Sequence, residues 1–115
     1  MSDNVIRVSN SSGPSGMTPA QFRKIDQVFC VAASQKVLCY RAVDCDFDEG
    51  VMTISFSKSE HHPTAISFIA RKVGPKVTMY ELYIEGKGRA EKSALFDRVF
   101  DLFRNYVTDL MEEHH

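Results

Sequence analysis

The feature that most constrains the fold of this chain is a change of hydrophobic period along its length. From Val51 to Ser57 apolar and polar residues alternate, with Met52, Ile54 and Phe56 pointing to one side. Such alternation is typical of a strand with one buried face. Toward both ends of the chain the apolar residues recur instead at the 3.6-residue period of amphipathic helices. These patterns predict a sheet with helices on one face, because neither kind of element buries its apolar side alone.

The first helical segment has a well-marked start. Thr18 can accept hydrogen bonds from first-turn amides, Pro19 loses nothing by lacking an N–H there, and Gln21 completes a Thr-x-x-Gln capping box. The sequence therefore predicts a helix over about residues 18–34. Its apolar stripe consists of Phe22, Ile25, Val28, Phe29 and Ala32.

The last helical segment is predicted over about residues 89–112, after a loop marked by Gly86 and Gly88. Its apolar face is predicted to be centred on Leu95, Val99, Leu102, Phe103, Tyr106, Leu110 and Met111, with Phe96, Phe100 and Val107 at the borders. This pattern is the strongest helical signal in the chain.

Strand patterns fill the region between the two helices. Residues 36–48 and 51–57 are predicted to form a hairpin around Asp48-Glu49-Gly50, and residues 77–85 a further strand. Residues 62–74 fit a strand, which we favour, but also a helix that begins near Pro63 and stops at Gly74. With the strand interpretation the fold is α+β, a four-stranded antiparallel β-meander with the N- and C-terminal helices packed on one face (α-β-β-β-β-α).

Composition bounds the domain organisation and the partners. The 115 residues suit a single domain, and the polar, glycine-containing start predicts a flexible N-terminal arm at 1–17 before one domain at 18–113. A net charge of -1 argues against nucleic acid as a partner. No apolar run approaches the roughly 20 residues that span a membrane, so we expect no membrane partner and a cytoplasmic location. Three cysteines, none at CxxC spacing, argue against a disulfide scaffold or zinc site.

Three clusters invite a chemical interpretation. The alternating carboxylates of Asp44, Asp46 and Asp48 resemble a calcium-binding loop. That motif needs Gly at its sixth position and Glu at its twelfth, whereas Gly50 is seventh and Ser55 is twelfth, so a solvated strand edge is the plainer interpretation. His61 and His62 could bind a metal. Either histidine could also pair with Cys39 or Cys45, whose thiol would then be the nucleophile, although no residue near either thiol in sequence activates it. We predict no catalytic residue, no metal site and no cofactor.

A basic segment precedes the predicted last helix. Lys87, Arg89 and Lys92 are predicted to form an anion-binding site, because free amides and the positive dipole end of a helix attract anions. Residues 61–93 carry six basic and three acidic groups, whereas residues 94–115 carry two and five. With a helix over 89–112, these charges would oppose the helix dipole unless a partner used them.

The sheet face turned away from the helices is a second functional lead. It is predicted to present Ile69, Arg71, Met79, Glu81 and Tyr83, a mixture enriched at protein interfaces. Because the sequence also offers no matched catalytic set, we expect a non-enzymatic protein-interaction module of the adaptor, chaperone or inhibitor type, with a protein partner and a homodimeric state. It would bind through this face, an edge strand or the charged last helix. The alternative is a small-ligand-binding or enzymatic domain with a pocket between helix and sheet, near Cys39, Tyr40 or the His61-His62 loop.

Overall fold

A helix, five consecutive strands and a second helix make up the computed structural model, which describes residues 16–114. The elements are α1 (Pro19–Ser34), β1 (Tyr40–Asp46), β2 (Val51–Ser57), β3 (Ile66–Gly74), β4 (Val77–Ile84), β5 (Gly88–Ser93) and α2 (Phe96–His114). The strands form one antiparallel sheet in the order β1-β2-β3-β4-β5. The predicted α+β class, with an antiparallel sheet and flanking helices, is confirmed, but the sheet has five strands rather than four.

Helix α1 begins as its sequence predicts. The Thr18 hydroxyl accepts a hydrogen bond from the Gln21 amide at 3.1 Å, and the Gln21 side chain accepts one from the Thr18 amide at 3.0 Å. Met17, inside the predicted arm, is only 3% exposed and belongs to the core, so the packed domain reaches at least one residue further back than predicted. Residues 1–15 of that arm lie outside the described part of the chain.

The fifth strand replaces the first turns of the predicted last helix. Residues 88–93 pair with β4, and α2 begins only at Phe96. Gly86 and Gly88 have φ angles of +82° and +74°, so they shape a hairpin turn between β4 and β5 rather than a loop before a helix. The first turn of α2 carries Asp97, whose charge suits the helix dipole. The predicted conflict between charges and dipole is therefore wrong at this end of the helix.

Residues 66–74 form the central strand, which excludes the helical interpretation of this segment. Ile66, Phe68 and Ala70 are buried against the helices, while Ser67, Ile69 and Arg71 alternate with them on the opposite side. The ambiguity came from Ile69, which adds an apolar residue on the open face. Pairing with both β2 and β4 satisfies this strand's backbone groups, an advantage that a local pattern does not reveal.

The core lies between the two helices and one face of the sheet. Phe103 of α2 packs against Phe56 and Phe68, with ring centroids 5.2 and 5.7 Å apart, and Tyr80 contacts Phe96 at 5.4 Å. The apolar strand residues on this face are buried, including the three on one side of the alternating segment at 51–57: Met52, Ile54, Phe56, Ile66, Phe68, Tyr80, Leu82 and Ile84.

The buried stripe of α2 is rotated from its predicted centre. Leu95 and Leu102 are 67% and 39% exposed, although both were predicted to face the core. The buried residues are Phe96, Val99, Phe100, Phe103 and Val107. Apolar residues lie on so many sides of this helix that their periodicity alone does not show which side is buried. The contacts between its aromatic side chains and those of the sheet determine the buried side.

Candidate functional site

Both helices pack on the same face of the sheet, and no helix or strand of residues 16–114 covers the other face. We call this surface the outer face. Following the strand register, it comprises Tyr40, Ala42, Asp44 and Asp46 of β1, Val51, Thr53, Ser55 and Ser57 of β2, Ser67, Ile69 and Arg71 of β3, Met79, Glu81 and Tyr83 of β4, and Arg89 and Lys92 of β5.

The five residues predicted as a protein interface lie together in the middle of the outer face. Ile69 stands opposite Glu81, Arg71 stands opposite Met79, and Tyr83 follows on the same strand. The register of β3 and β4 therefore brings them into one patch. Their role as an interface stays a prediction.

Glu81 is the most unusual residue of this patch, because it is 4% exposed on a face that the helices leave uncovered. Tyr83 donates a hydrogen bond to one carboxylate oxygen at 2.9 Å, and Arg71 Nε donates to the other at 3.3 Å. Both oxygens of the buried Glu81 carboxylate therefore have a donor from a neighbouring side chain. A buried carboxylate with charged and neutral donors fixes the conformation of its neighbours.

Charge changes sign across the outer face. β1 at one edge carries Asp44 and Asp46, whereas β5 at the other edge carries Arg89 and Lys92, the last standing opposite Glu81. The three central strands present polar and apolar residues with the Arg71–Glu81 pair between them. This gradient is not apparent from the sequence, because it depends on the strand order and on β5 being a strand.

The predicted anion-binding residues lie in two places, and their role in binding an anion stays a prediction. Arg89 and Lys92 lie on the outer face, but the Lys87 ammonium lies 5.6 Å from the centroid of the Tyr106 ring on α2. None of the three is at the start of a helix, because α2 begins at Phe96. The helix dipole therefore gives no reason for an anion to bind them.

The acidic, histidine and cysteine candidates do not all lie together. Cys39, whose amide donates to the Ser57 carbonyl at 3.1 Å, lies at the end of β2 that leads into the His61-His62 loop, but Cys45 does not. Cys45 pairs with Met52 near the β1–β2 turn, whereas His61 and His62 lie in the loop at the opposite end of β2. Burial, with a smaller contribution from the Asp44 carboxylate, raises the pKa of the Cys45 thiol, which disfavours the nucleophilic thiolate. Among the described residues no group of three or more His, Cys, Asp or Glu side chains is placed to hold a metal ion.

A groove of about 410 Å³ lies between the two helices and was not predicted. Val28, Val31 and Met111 supply apolar surface. The Lys24 ammonium and the Arg104 guanidinium lie 4.9 and 5.5 Å from the centroid of the buried Phe100 ring. Val31, 49% exposed and outside the main stripe of α1, is the sequence signal for this groove. The groove is lined only by helical residues.

The alternative function requires a pocket between helix and sheet. Besides the groove between the helices, there are surface depressions of about 400 Å³ at the helix starts and of about 300 Å³ where β3 begins and β4 ends, beside Gly86. Neither these depressions nor the groove is lined by Cys39, Tyr40, His61 or His62. The alternative therefore stays a prediction, and none of these three cavities lies at the residues named for it.

Comparison with known proteins gives no family. No protein-family model matches the chain, and neither a curated protein nor a solved structure matches it. Within the described residues, neither helix is long and apolar enough to cross a membrane.

Proposed function

We propose that this protein is a non-enzymatic interaction module of the adaptor, chaperone or inhibitor type, which binds a protein partner through the outer face. The observation that carries the proposal is the contiguous patch of Ile69, Arg71, Met79, Glu81 and Tyr83 on a sheet face that the helices leave uncovered. A second copy of the chain and a different protein both satisfy this proposal.

The chemistry of the patch supports a protein partner. Tyr, Met and Arg are enriched in the centres of protein interfaces. Ile69 adds an aliphatic side chain, opposite Glu81 and two residues from Arg71 on the same strand. Glu81 is already withdrawn from water and hydrogen-bonded within its own chain. A partner that covers it therefore removes little further hydration, so the desolvation that normally opposes burial of a carboxylate is small.

Affinity capture with matched variants tests the proposal. The wild-type chain, Ile69→Lys and Val31→Lys are immobilised and exposed to a lysate of the cells that carry the protein, and bound proteins are quantified by mass spectrometry. Val31 is the control, because it is also a β-branched residue but lies on α1, away from the sheet. We expect Ile69→Lys to lose proteins that the wild type and Val31→Lys retain, including untagged copies of the chain.

Two outcomes would contradict the proposal. One is the same set of proteins bound by the wild type and Ile69→Lys. The other is a wild-type chain that retains nothing above blank beads. Far-UV circular dichroism of both variants verifies that they are folded, which keeps a loss of binding from being a loss of structure.

A further inference from the structure

Side-chain size and charge are both arranged asymmetrically about the central strand of the outer face. On one side, β2 presents the small residues Val51, Thr53 and Ser55; on the other, β4 presents the long residues Met79, Glu81 and Tyr83. Further out, acidic β1 stands at one edge and basic β5 at the other. β2 is thus complementary to β4 in side-chain volume, and β1 is complementary to β5 in charge.

This complementarity selects a single way to stack two copies with their strands aligned, the usual arrangement of packed sheets. A two-fold axis across the strands would place Asp44 over the second copy's Asp44 and Tyr83 over a second large side chain. An axis along β3 instead places acidic β1 over basic β5 and small β2 over large β4. A two-fold interface of this kind is self-complementary and closes at two copies.

We infer that the occupant of the outer face is a second copy of this chain, related by a two-fold axis that runs along β3. The inference rests on the proposed function, because it names the partner for the same surface. Ile69 then lies on the axis against the second copy's Ile69, and Thr53 faces the second copy's Glu81. Asp44 faces the second copy's Lys92. Arg71 also lies near the axis, but its guanidinium leans toward β4 and pairs with Glu81, which separates and neutralises the two arginines.

The area of the face is adequate for such a dimer. Five strands about 4.8 Å apart and about seven residues long cover roughly 24 by 23 Å, or about 550 Å² on each copy. Two copies then bury about 1,100 Å² together, which exceeds the roughly 1,000 Å² expected of a biological interface. The charged strands at the two edges orient one copy on the other and disfavour other alignments, and they contribute less to the affinity of the dimer.

Light scattering and sedimentation equilibrium on the full chain test the inference. The wild type is expected at twice the 13.0 kDa of the chain. Ile69→Lys is expected to raise the dimer dissociation constant about 30-fold or more, as for a central hot-spot residue. Val31→Lys, on α1, is expected to leave it unchanged.

A charge exchange tests the direction of the axis. Asp44→Lys and Lys92→Asp alone are each expected to weaken the dimer about 10-fold, since each change affects two symmetric pairs. The double variant is expected to restore the dimer to within about 3-fold, because its reversed pairs again attract. In a background with the native cysteines replaced by serine, Ile69→Cys is expected to cross-link to itself with a short bismaleimide, whereas Asp44→Cys is not.

Each contrary result has a definite meaning. A monomeric wild type, or a dimer that Ile69→Lys leaves intact, would overturn the second-copy inference. Self-linking of Asp44→Cys, or a double variant no stronger than the single ones, would overturn the axis along β3. A monomeric wild type whose captured proteins still depend on Ile69 would leave the proposed function standing, so the two failures are distinguishable.

Discussion

The Arg71 side chain of β3 extends diagonally to Glu81 of the adjacent strand β4 and places its Nε 3.3 Å from a carboxylate oxygen. In the strand register Arg71 stands opposite Met79, and Glu81 stands opposite Ile69. The Arg71 side chain is 44% exposed, whereas that of Glu81 is only 5% exposed. The pair is therefore asymmetric: the guanidinium meets water, and the carboxylate depends on its protein partners.

Arg71→Ala is expected to lower the free energy of unfolding by about 1–2 kcal/mol, because the buried carboxylate then keeps only Tyr83 as a donor while water partly replaces the exposed guanidinium. Urea unfolding at neutral pH measures this, at one fixed protein concentration because association stabilises folded chains. Arg23→Ala on α1 is the control, with an expected change within about 0.5 kcal/mol. Equal small changes in both variants would show that the diagonal pair contributes nothing to stability.

Phe103→Ala is expected to cost about 3–5 kcal/mol, because this ring is fully buried and contacts rings of both sheet and helix. Phe47→Ala removes the same side chain from the β1–β2 turn, where it is 55% exposed, and is expected to change stability by less than about 1 kcal/mol. Thermal and urea unfolding of the two variants gives the comparison. Similar costs at both positions would place the core elsewhere.

Two glycines with nearly equal φ angles but different surroundings offer a test of close packing. Gly16 and Gly86 have φ angles of +77° and +82°, but a Cβ at Gly16 would lie 2.3 Å from Thr78 Oγ1, whereas one at Gly86 would meet nothing within 4 Å. Alanine at either position adds about 1 kcal/mol of backbone strain. We expect Gly16→Ala to cost at least about 1 kcal/mol more, since a neighbour must also move.

Removing the neighbour isolates that steric contribution. In a Thr78→Ala background, Gly16→Ala is expected to cost about as much as Gly86→Ala does in the wild type, as measured by urea unfolding. A cost that the background change leaves unaltered would mean that Thr78 does not oppose the added methyl group.

Cys45 is expected to react with iodoacetamide more slowly than the exposed Cys30 and Cys39 at pH 8, because burial and Asp44 raise its pKa and reduce its thiolate fraction. Asp44→Asn removes the second cause and is expected to speed alkylation of Cys45 about 2- to 5-fold, whereas Asp48→Asn is not. Peptide mass spectrometry follows each site. Since the unfolded thiol ionises first, this group also lowers stability as the pH rises above the usual thiol pKa.

The sequence predicted most of the sheet for a physical reason. Alternation in β2 and β4 records which side is buried, and a residue such as Phe56 or Leu82 has no favourable position except against the helices. The grouping of Ile69 with Met79 and Tyr83 followed from the same alternation once the two strands were paired. These inferences needed only local patterns and neighbouring strands.

The features that the sequence did not predict depend on more distant relationships. β5 is an exposed edge strand without alternation of apolar and polar residues. It is a strand because it pairs with β4, and its own residues give no strand signal. The opposite charges of Asp44 and Lys92 form a gradient only when the order of all five strands is known. The groove beside Val31 requires the placement of α1 against α2, two elements from opposite ends of the chain.

The meander also has a consequence for how the chain reaches its structure. Every strand pairs with its neighbour in sequence, so the sheet assembles by closing short loops, whose entropic cost is low. The two helices contact each other across a much longer span, as between Lys24 and Asp97, which are 73 residues apart. Because nearby contacts form fastest, the hairpins should nucleate folding and α1 should dock late. A conservative truncation such as Ile25→Val should then accelerate unfolding and leave the folding rate nearly unchanged, which stopped-flow kinetics would show.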